Sequence, residues 1–192
     1  MRERSQEYNS SSYKKAYIAI PVPEGAVLDW IKRLNPHKSF FHITLFYLEG
    51  MNEKELGRVK MAVVSGSESL KNERIELERL DIIDNGQQVL ALKVKVSDAL
   101  EKTRKTIEED LPEYEGSNFK FSPHITVQQP KPIWTPGAKQ PFKPKAFNLQ
   151  ELEQISRFKD MSDYVSPIKP RIIGVYYRTD EDATALLFSQ KI

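Results

Sequence analysis

The chain has 192 residues, of which 39% are hydrophobic and 29% charged, and it contains no cysteine. This composition suits one globular unit with an ordinary core, and the lack of cysteine excludes disulfides, thiolate nucleophiles and thiolate zinc sites. The net charge of +2 is too small to indicate a general nucleic-acid binder. There is no apolar run of about eighteen residues and no apolar centre of a secretory signal, which predicts a cytoplasmic protein without a membrane partner.

The first part of the chain predicts the order strand, helix, strand, helix. The run "KKAYIAIPVP" alternates large and small apolar residues and stops at prolines, whereas "AVLDWIKRL" has apolar residues at helical spacing. A turn at "NPHKS" leads into the strand "FFHITLFYL", and "NEKELGRVKMAVVS" again shows a helical stripe.

The middle of the chain predicts a hairpin followed by the same order of elements. "IELERLDII" and "QQVLALKVKV" flank an Asn-Gly turn, which is a strong hairpin signal. "SDALEKTRKTIEEDL" predicts a helix capped by Ser97 or Asp98, and "FKFSPHITVQQ" predicts a strand. Near the end, "FNLQELEQISRF", "IIGVYYRT" and "ATALLFSQKI" are interpreted as closing strands of the sheet.

A proline- and lysine-rich stretch follows the predicted strand "FKFSPHITVQQ". Six of the twelve prolines lie between Pro123 and Pro144. No Asp or Glu occurs between Glu115 and Glu151, although five lysines do, so the surface there is expected to attract phosphates. We therefore predict a polar tail at 1–14 and a single domain at 15–192, with a long loop at about 129–146.

The tripeptide His-Ile-Thr occurs twice, at His42 to Thr44 and at His124 to Thr126, and uses two of only three histidines. Each copy ends a predicted strand–helix–strand unit, which indicates an internal duplication. The predicted fold class is α+β, with two lobes, a mainly antiparallel sheet core, a central cleft and helices outside.

Residues two apart in a strand face the same side, so His42 projects with Thr44 and His124 with Thr126. If the two units meet about a pseudo-twofold axis, two imidazoles and two hydroxyls surround one cleft. One histidine can then accept a proton and the other donate one, while the hydroxyls stabilise phosphate oxygens. This arrangement suits a phosphodiester and requires no metal or cofactor.

Two other interpretations of the motifs remain open. Both histidines can be core residues whose hydrogen bonds are satisfied, although two identical copies favour function. A metal site is the second alternative, because histidine is a common metal ligand. It lacks further ligands: His37 lies in the turn "NPHKS" and is expected to be solvated, and the next inward positions are Phe46 and Gln128.

The tetrapeptides "HITL" and "HITV" resemble the motifs of the 2H phosphoesterase superfamily, which includes 2′-5′ RNA ligase-like proteins and cyclic nucleotide phosphodiesterases. The resemblance implies that His42 and His124 are the catalytic pair and that Thr44 and Thr126 bind the phosphate. It also implies metal-independent action on 2′,3′-cyclic phosphates, 2′-5′ linkages or related small oligonucleotides.

The expected partner is a nucleotide or short RNA substrate, and no obligatory protein partner is evident. Further substrate contacts are predicted at Gln128, Lys131 and Trp134, where aromatic faces and positive charge suit a stacked base and its phosphate. Tyr47 is a further candidate, although strict alternation turns it away from His42 and favours core packing. The alternative functions are a viral-type hydrolase of oligonucleotide immune signals and an inactive RNA-binding module.

Overall fold

The computed structural model describes residues 12–13, 15–84, 86–114, 121–133, 141–159, 166–179 and 183–192, and these residues form nine strands and four helices. The strands are β1 (Ser12–Tyr13), β2 (Ala16–Pro21), β3 (His42–Leu48), β4 (Met51–Asn52), β5 (Leu77–Asp84), β6 (Gln88–Val94), β7 (His124–Gln128), β8 (Ile172–Arg178) and β9 (Thr184–Lys191). The helices are α1 (Ala26–Leu34), α2 (Leu56–Ser67), α3 (Asp98–Asp110) and α4 (Leu149–Lys159). Both predicted strand–helix–strand units are present.

Seven of these strands form one antiparallel sheet in the order β5-β6-β7-β3-β2-β8-β9, and β1 pairs separately with β4. The two strands that carry the His-Ile-Thr motifs are neighbours at the centre, flanked by the first strands of their own units. Among the described residues, β3 and β7 pair at one position, Ile43 with Ile125, which we call the junction. The four central strands, β6-β7-β3-β2, are therefore symmetric about the junction. The predicted α+β class is confirmed.

The two faces of the sheet differ in what covers them. One face contributes Ile18, Ile43 and Ile125 to the main core, together with helix residues such as Val63 of α2 and Ile107 of α3. We call this the core face. The opposite face carries a small separate cluster of Tyr17, Ala19 and Tyr176 with Phe40 packed against it. The core residues of helices α2 and α3 thus pack on the core face, and the polar side chains of the motifs lie on the opposite face of the central strands.

Local signals explain where several elements begin. The Ser97 hydroxyl accepts a hydrogen bond from the Leu100 amide at 3.3 Å, so Ser97 rather than Asp98 caps α3. Strands β5 and β6 form the predicted hairpin, and Gly86 has a φ of 86°, a conformation that glycine adopts without strain. Asn85 of the predicted turn lies outside the described residues.

The prediction of a strand at "FNLQELEQISRF" is wrong, because this segment forms helix α4. Asn148 and Glu151 make a capping box: the Glu151 amide donates to Asn148 Oδ1 at 3.0 Å, and the Asn148 amide donates to Glu151 Oε2 at 2.9 Å. The two later segments do form the closing strands β8 and β9, as predicted.

The start of the chain is only partly described. Ser12–Tyr13, which fall in the predicted tail, pair with Met51–Asn52, and residues 1–11 lie outside the described part. The domain boundaries therefore stay predictions. Within the described residues, no helix is both long enough and apolar enough to cross a membrane.

Candidate active site

The junction determines how the two motifs meet. Since Ile43 lies opposite Ile125 in an antiparallel pair, His42 falls opposite Thr126, and Thr44 falls opposite His124. Neighbouring strands are about 4.8 Å apart, and opposite residues share a face, so each imidazole lies beside the hydroxyl of the other motif. We call the side of the sheet that carries these four residues the motif face. The structure thus brings the four predicted catalytic side chains together.

Each motif is followed at once by a β-bulge. The pairing of β2 with β3 skips Leu45, and the pairing of β6 with β7 skips Val127. These residues occupy the same place in the two units, which extends the duplication beyond the tripeptide. A bulge inserts one residue into a strand and reverses the alternation beyond it. The faces of all residues after the motifs change accordingly.

The bulge overturns the expectation that Tyr47 packs in the core. Beyond Leu45, Phe46 takes the core face and Tyr47 returns to the motif face, opposite Tyr17. The Tyr47 residue is 60% exposed. Tyr47 therefore stays a candidate substrate contact. Strict alternation would turn its ring away from His42, but the bulge returns the ring to the motif face.

The bulge at Val127 has the opposite effect on Gln128, which it turns away from the motif face. The register beyond Val127 pairs Gln128 with Leu90, a residue of the main core. Strand geometry therefore turns Gln128 toward the core face and away from His124. The structure does not bring this predicted substrate contact to the motif face.

His42 sits among aromatic rings and cations. The rings of Tyr17 and Phe40 both stack on its imidazole, with centroids 5.0 and 4.9 Å away. The His42 Nδ1 atom is buried and has no hydrogen-bond partner among the described residues. Burial lowers the pKa of His42 to about 3, and the positive charges of Lys38 and Arg178 act in the same direction, as does His124. His42 is therefore neutral at physiological pH.

His124 has a different environment. Its Nδ1 atom donates a hydrogen bond to the Ser122 carbonyl at 2.9 Å, since a carbonyl can only accept. This bond orients the ring and places a proton on Nδ1, which leaves Nε2 as the nitrogen available to a substrate. His124, like His42, is half-buried. The two imidazoles thus differ in what holds them: aromatic stacking holds His42, and one hydrogen bond holds His124.

Sequence analysis missed Lys38, which links the two halves. Its Nζ atom donates to the Thr126 carbonyl at 2.6 Å, and the nearby Asn35 amide donates to the Val127 carbonyl at 2.9 Å. These carbonyls lie where β7 no longer pairs with β3, so the side chains replace missing sheet partners. Burial, followed by the charge of Arg178, lowers the pKa of Lys38 to about 8. The only sequence signal was its position in the turn before the first motif.

The comparison with protein families agrees with this geometry. A family model described as the 2′-5′ RNA ligase superfamily matches residues 34–160, which is more than half of the chain and includes both motifs. The chain belongs to the 2′-5′ RNA ligase superfamily. Membership confirms the predicted 2H phosphoesterase relationship and the enzyme class, phosphodiesterase. Among curated protein sequences, none matches the chain significantly.

Several solved structures share the fold of this superfamily member at low sequence identity. TT0787 of Thermus thermophilus is 16% identical, with a TM-score of 0.52 over 92% of this chain and 97% of its own. Escherichia coli LigT complexed with 3′-AMP is 14% identical, with a TM-score of 0.51 over 95% and 99%. A phosphoesterase is 12% identical, with a TM-score of 0.52 over 93% and 98%. These likenesses support the fold alone.

The Pro/Lys-rich segment (129–146) of this superfamily member is described in part. Ile133 and Phe142 form an antiparallel bridge with two backbone hydrogen bonds of 2.8 Å, and both side chains are exposed. The backbone amide of Lys131 donates to Glu151 at 2.8 Å, and its side chain is exposed. Trp134 lies outside the described residues, so its predicted role stays a prediction.

The remaining candidates add no further polar group to the site. His37 is exposed in its turn, as expected. Across the described ranges, no group of three or more His, Cys, Asp or Glu side chains has a geometry that could hold a metal ion.

Proposed function

We propose that the chain is a metal-independent phosphodiesterase that cleaves a ribonucleotide 2′,3′-cyclic phosphate, a 2′-5′ linkage or a related small oligonucleotide. The observation that carries the proposal is the antiparallel register at the junction, which sets His42 beside Thr126 and His124 beside Thr44. A phosphodiester needs proton acceptance on one side of phosphorus and proton donation on the other. Two imidazoles on neighbouring strands supply both.

The unequal environments of the two histidines suggest their roles. His42 stays neutral because burial and nearby cations lower its pKa, so it can accept a proton from the attacking water or hydroxyl. Its Nδ1 is buried, so Nε2 is the accepting atom and the neutral ring carries its hydrogen on Nδ1. His124, in its protonated form, donates from Nε2 to the leaving ribose oxygen. When a ribose hydroxyl attacks, water opens the resulting cyclic phosphate in a second step with the roles exchanged, which restores both rings. When water attacks, the two rings are restored by proton exchange with solvent.

The threonine hydroxyls and the nearby cations stabilise the negative charge of the phosphate. Thr44 and Thr126 donate hydrogen bonds to the non-bridging oxygens, whose charge rises in the transition state. Lys38 and Arg178 lie close enough to His42 to affect its pKa, so they also raise the positive potential where a phosphate would bind. An incoming phosphate anion in turn raises the pKa of His42 and makes it a better base.

The nucleotide class of substrate has support from one relative. Escherichia coli LigT, which shares the fold, has been crystallised with 3′-AMP. A 3′-nucleotide places a phosphate beside a ribose, and the same pattern occurs in 2′,3′-cyclic phosphates and at 2′-5′ linkages.

The test is a substrate panel with products identified by mass. The panel contains 2′,3′-cyclic mononucleotides, 2′-5′ and 3′-5′ oligonucleotides and cyclic dinucleotides, each incubated with the protein and with a folded His42→Ala/His124→Ala control. Turnover by the wild type alone supports the proposal. Turnover confined to cyclic dinucleotides or long 2′-5′ oligonucleotides favours an immune-signal hydrolase, and tight binding without turnover of any member contradicts catalysis and favours a binding module.

A further inference from the structure

A basic strip lies beside His124, on the side away from His42. Lys93 of β6 pairs directly with His124, and Ala91 pairs with Thr126. Asp81 of β5 pairs in turn with Ala91. Opposite residues in a sheet share a face, so Lys93 and Asp81 both lie on the motif face. The strip continues the row of motif residues outward across two strands.

Ion pairs hold the cations of this strip in place. The Lys93 Nζ and Arg79 Nη2 atoms lie 3.1 and 3.5 Å from the same oxygen of Asp81, Oδ2. The other oxygen of Asp81 accepts from the Ile82 amide at 2.9 Å, which fixes the carboxylate. One carboxylate thus contacts both cations. The side chains of Lys93 and Arg79 remain 33% and 72% exposed, so the strip is open to an anion.

The strip is absent from the equivalent place in the other unit. Lys93 is the strand partner of His124, and the corresponding partner of His42 is Pro21. A proline carries no charge, so the strip does not belong to the duplicated catalytic pair. The strip therefore distinguishes the His124 side of the site from the His42 side. We expect it to bind the part of the substrate that contacts His124.

We propose that Lys93 and Arg79 form a subsite for a phosphate of the leaving group, one nucleotide beyond the scissile phosphate. The inference rests on the proposed function, in which His124 protonates the leaving oxygen. Strands β6 and β5 lie about 4.8 and 10 Å from β7, a span that long basic side chains can bridge to the next phosphate of a chain. The preferred substrate is then an oligonucleotide whose leaving part carries its own phosphate, not a mononucleotide cyclic phosphate.

The test compares two substrates that differ by one phosphate. One is a dinucleoside monophosphate, and the other is the same compound with a terminal phosphate on the leaving nucleoside, each in 2′-5′ and 3′-5′ forms. For wild type at low salt, KM should be lower for the phosphorylated compound. Lys93→Gln and Arg79→Gln should each raise that KM by roughly tenfold, the effect of one charge-assisted contact, and leave kcat nearly unchanged.

Two controls separate binding from damage to the catalytic pair. The unphosphorylated compound should have the same KM, kcat and pH profile in wild type and in both variants, which shows that His124 is undisturbed. Lys60→Gln changes a lysine of α2, a helix that packs on the core face, and should affect neither substrate. Rising salt should remove the advantage of the phosphorylated compound in wild type, since exposed charges are screened.

The outcomes distinguish the two proposals. Turnover of both substrates with equal KM values in wild type and Lys93→Gln overturns the subsite and leaves the phosphodiesterase in place. No turnover of either compound overturns the subsite, and a 2′,3′-cyclic mononucleotide assayed alongside them shows whether the proposed phosphodiesterase activity is lost as well. A selective rise in KM for the phosphorylated compound in the two variants supports both.

Discussion

At the scale of single residues, His42 and His124 are each followed by Ile-Thr in the sequence but have different surroundings in space. Aromatic rings and two cations surround His42, whereas His124 Nδ1 donates a hydrogen bond to the Ser122 carbonyl. The sequence could not assign their roles, because reversal of the reaction exchanges them. The surroundings do favour an assignment, since they act on the two rings unequally.

The lowered pKa of His42 predicts a dependence of stability on pH. The folded state keeps the ring neutral down to a pKa of about 3, whereas the unfolded chain protonates it below about 6.5. This contribution is present in full above pH 6.5 and is lost as pH falls toward 3, by up to about 1.4 kcal/mol per pH unit. Urea unfolding of His42→Gln between pH 7.5 and 4.5 should therefore show a weaker pH dependence than wild type. His37→Gln, at an exposed position, is the control, and parallel curves for wild type and His42→Gln would contradict the effect.

Lys38 is predicted to be a positioning residue that acts through His42. Its charge contributes to the lowered pKa of His42, and its Nζ holds the Thr126 carbonyl. Lys38→Met should raise the pKa of His42, measured by NMR titration of the ring, and move the acidic limb of the kcat/KM profile to higher pH. Lys32→Met, on the exposed side of α1, should change neither. An unaltered His42 titration in folded Lys38→Met would remove Lys38 from this role.

At the scale of elements, apolar periodicity and caps predicted most of the fold. Helices α1 to α3, the hairpin and the two motif strands lie where the pattern indicated. The segment at α4 was misassigned because its short apolar spacing suits both structures, and the Asn148 to Glu151 capping box was overlooked. That local signal was readable in the sequence.

Other features could not be read from the pattern. The bulge at Leu45 leaves two successive apolar residues on the core face, and an apolar pair at that place also fits an ordinary buried strand. The role of Lys38 depends on a carbonyl 88 positions away in sequence, which only the tertiary fold brings near. Signals of this kind exist in space and not in the local sequence.

The Pro/Lys-rich segment is predicted to bind phosphates beyond the scissile one. Changing Lys131, Lys139 and Lys143 together to Ala should raise KM for an oligonucleotide more than for a cyclic mononucleotide, with kcat nearly unchanged, because these charges bind ground and transition states alike. Trp134→Ala should act in the same direction, at a cost of roughly 1–3 kcal/mol, if the indole stacks on a base. Equal KM values for wild type and the triple variant at low salt would leave the segment a structural loop.

At the scale of the whole molecule, the site belongs to neither unit alone. The two units share one sheet, and the paired motifs meet where a single residue pair joins β3 to β7. In the proposed mechanism, duplication about this junction supplies an acid and a base for opposite sides of one phosphate. Lys38 and Asn35, which lie in the first unit, cross it to donate hydrogen bonds to the Thr126 and Val127 carbonyls of β7.

The whole site is predicted to work without a metal ion, because two imidazoles supply both proton transfers. Activity should persist after exhaustive chelation with EDTA and gel filtration, and elemental analysis of the active protein should find no stoichiometric zinc or manganese. Loss of activity on chelation that one added metal restores would transfer the chemistry to a metal-activated water.

The most direct test of the paired-motif mechanism is the single-turnover rate of His42→Ala, His124→Ala and the double variant, with folding verified for each. Because base and acid act in one step, each single change should lower the rate by roughly a hundredfold or more, and the double variant should be no slower than about the slower single variant. A folded single variant with full activity, or a double variant whose loss is the product of the two single losses, would contradict a concerted His42 and His124 pair.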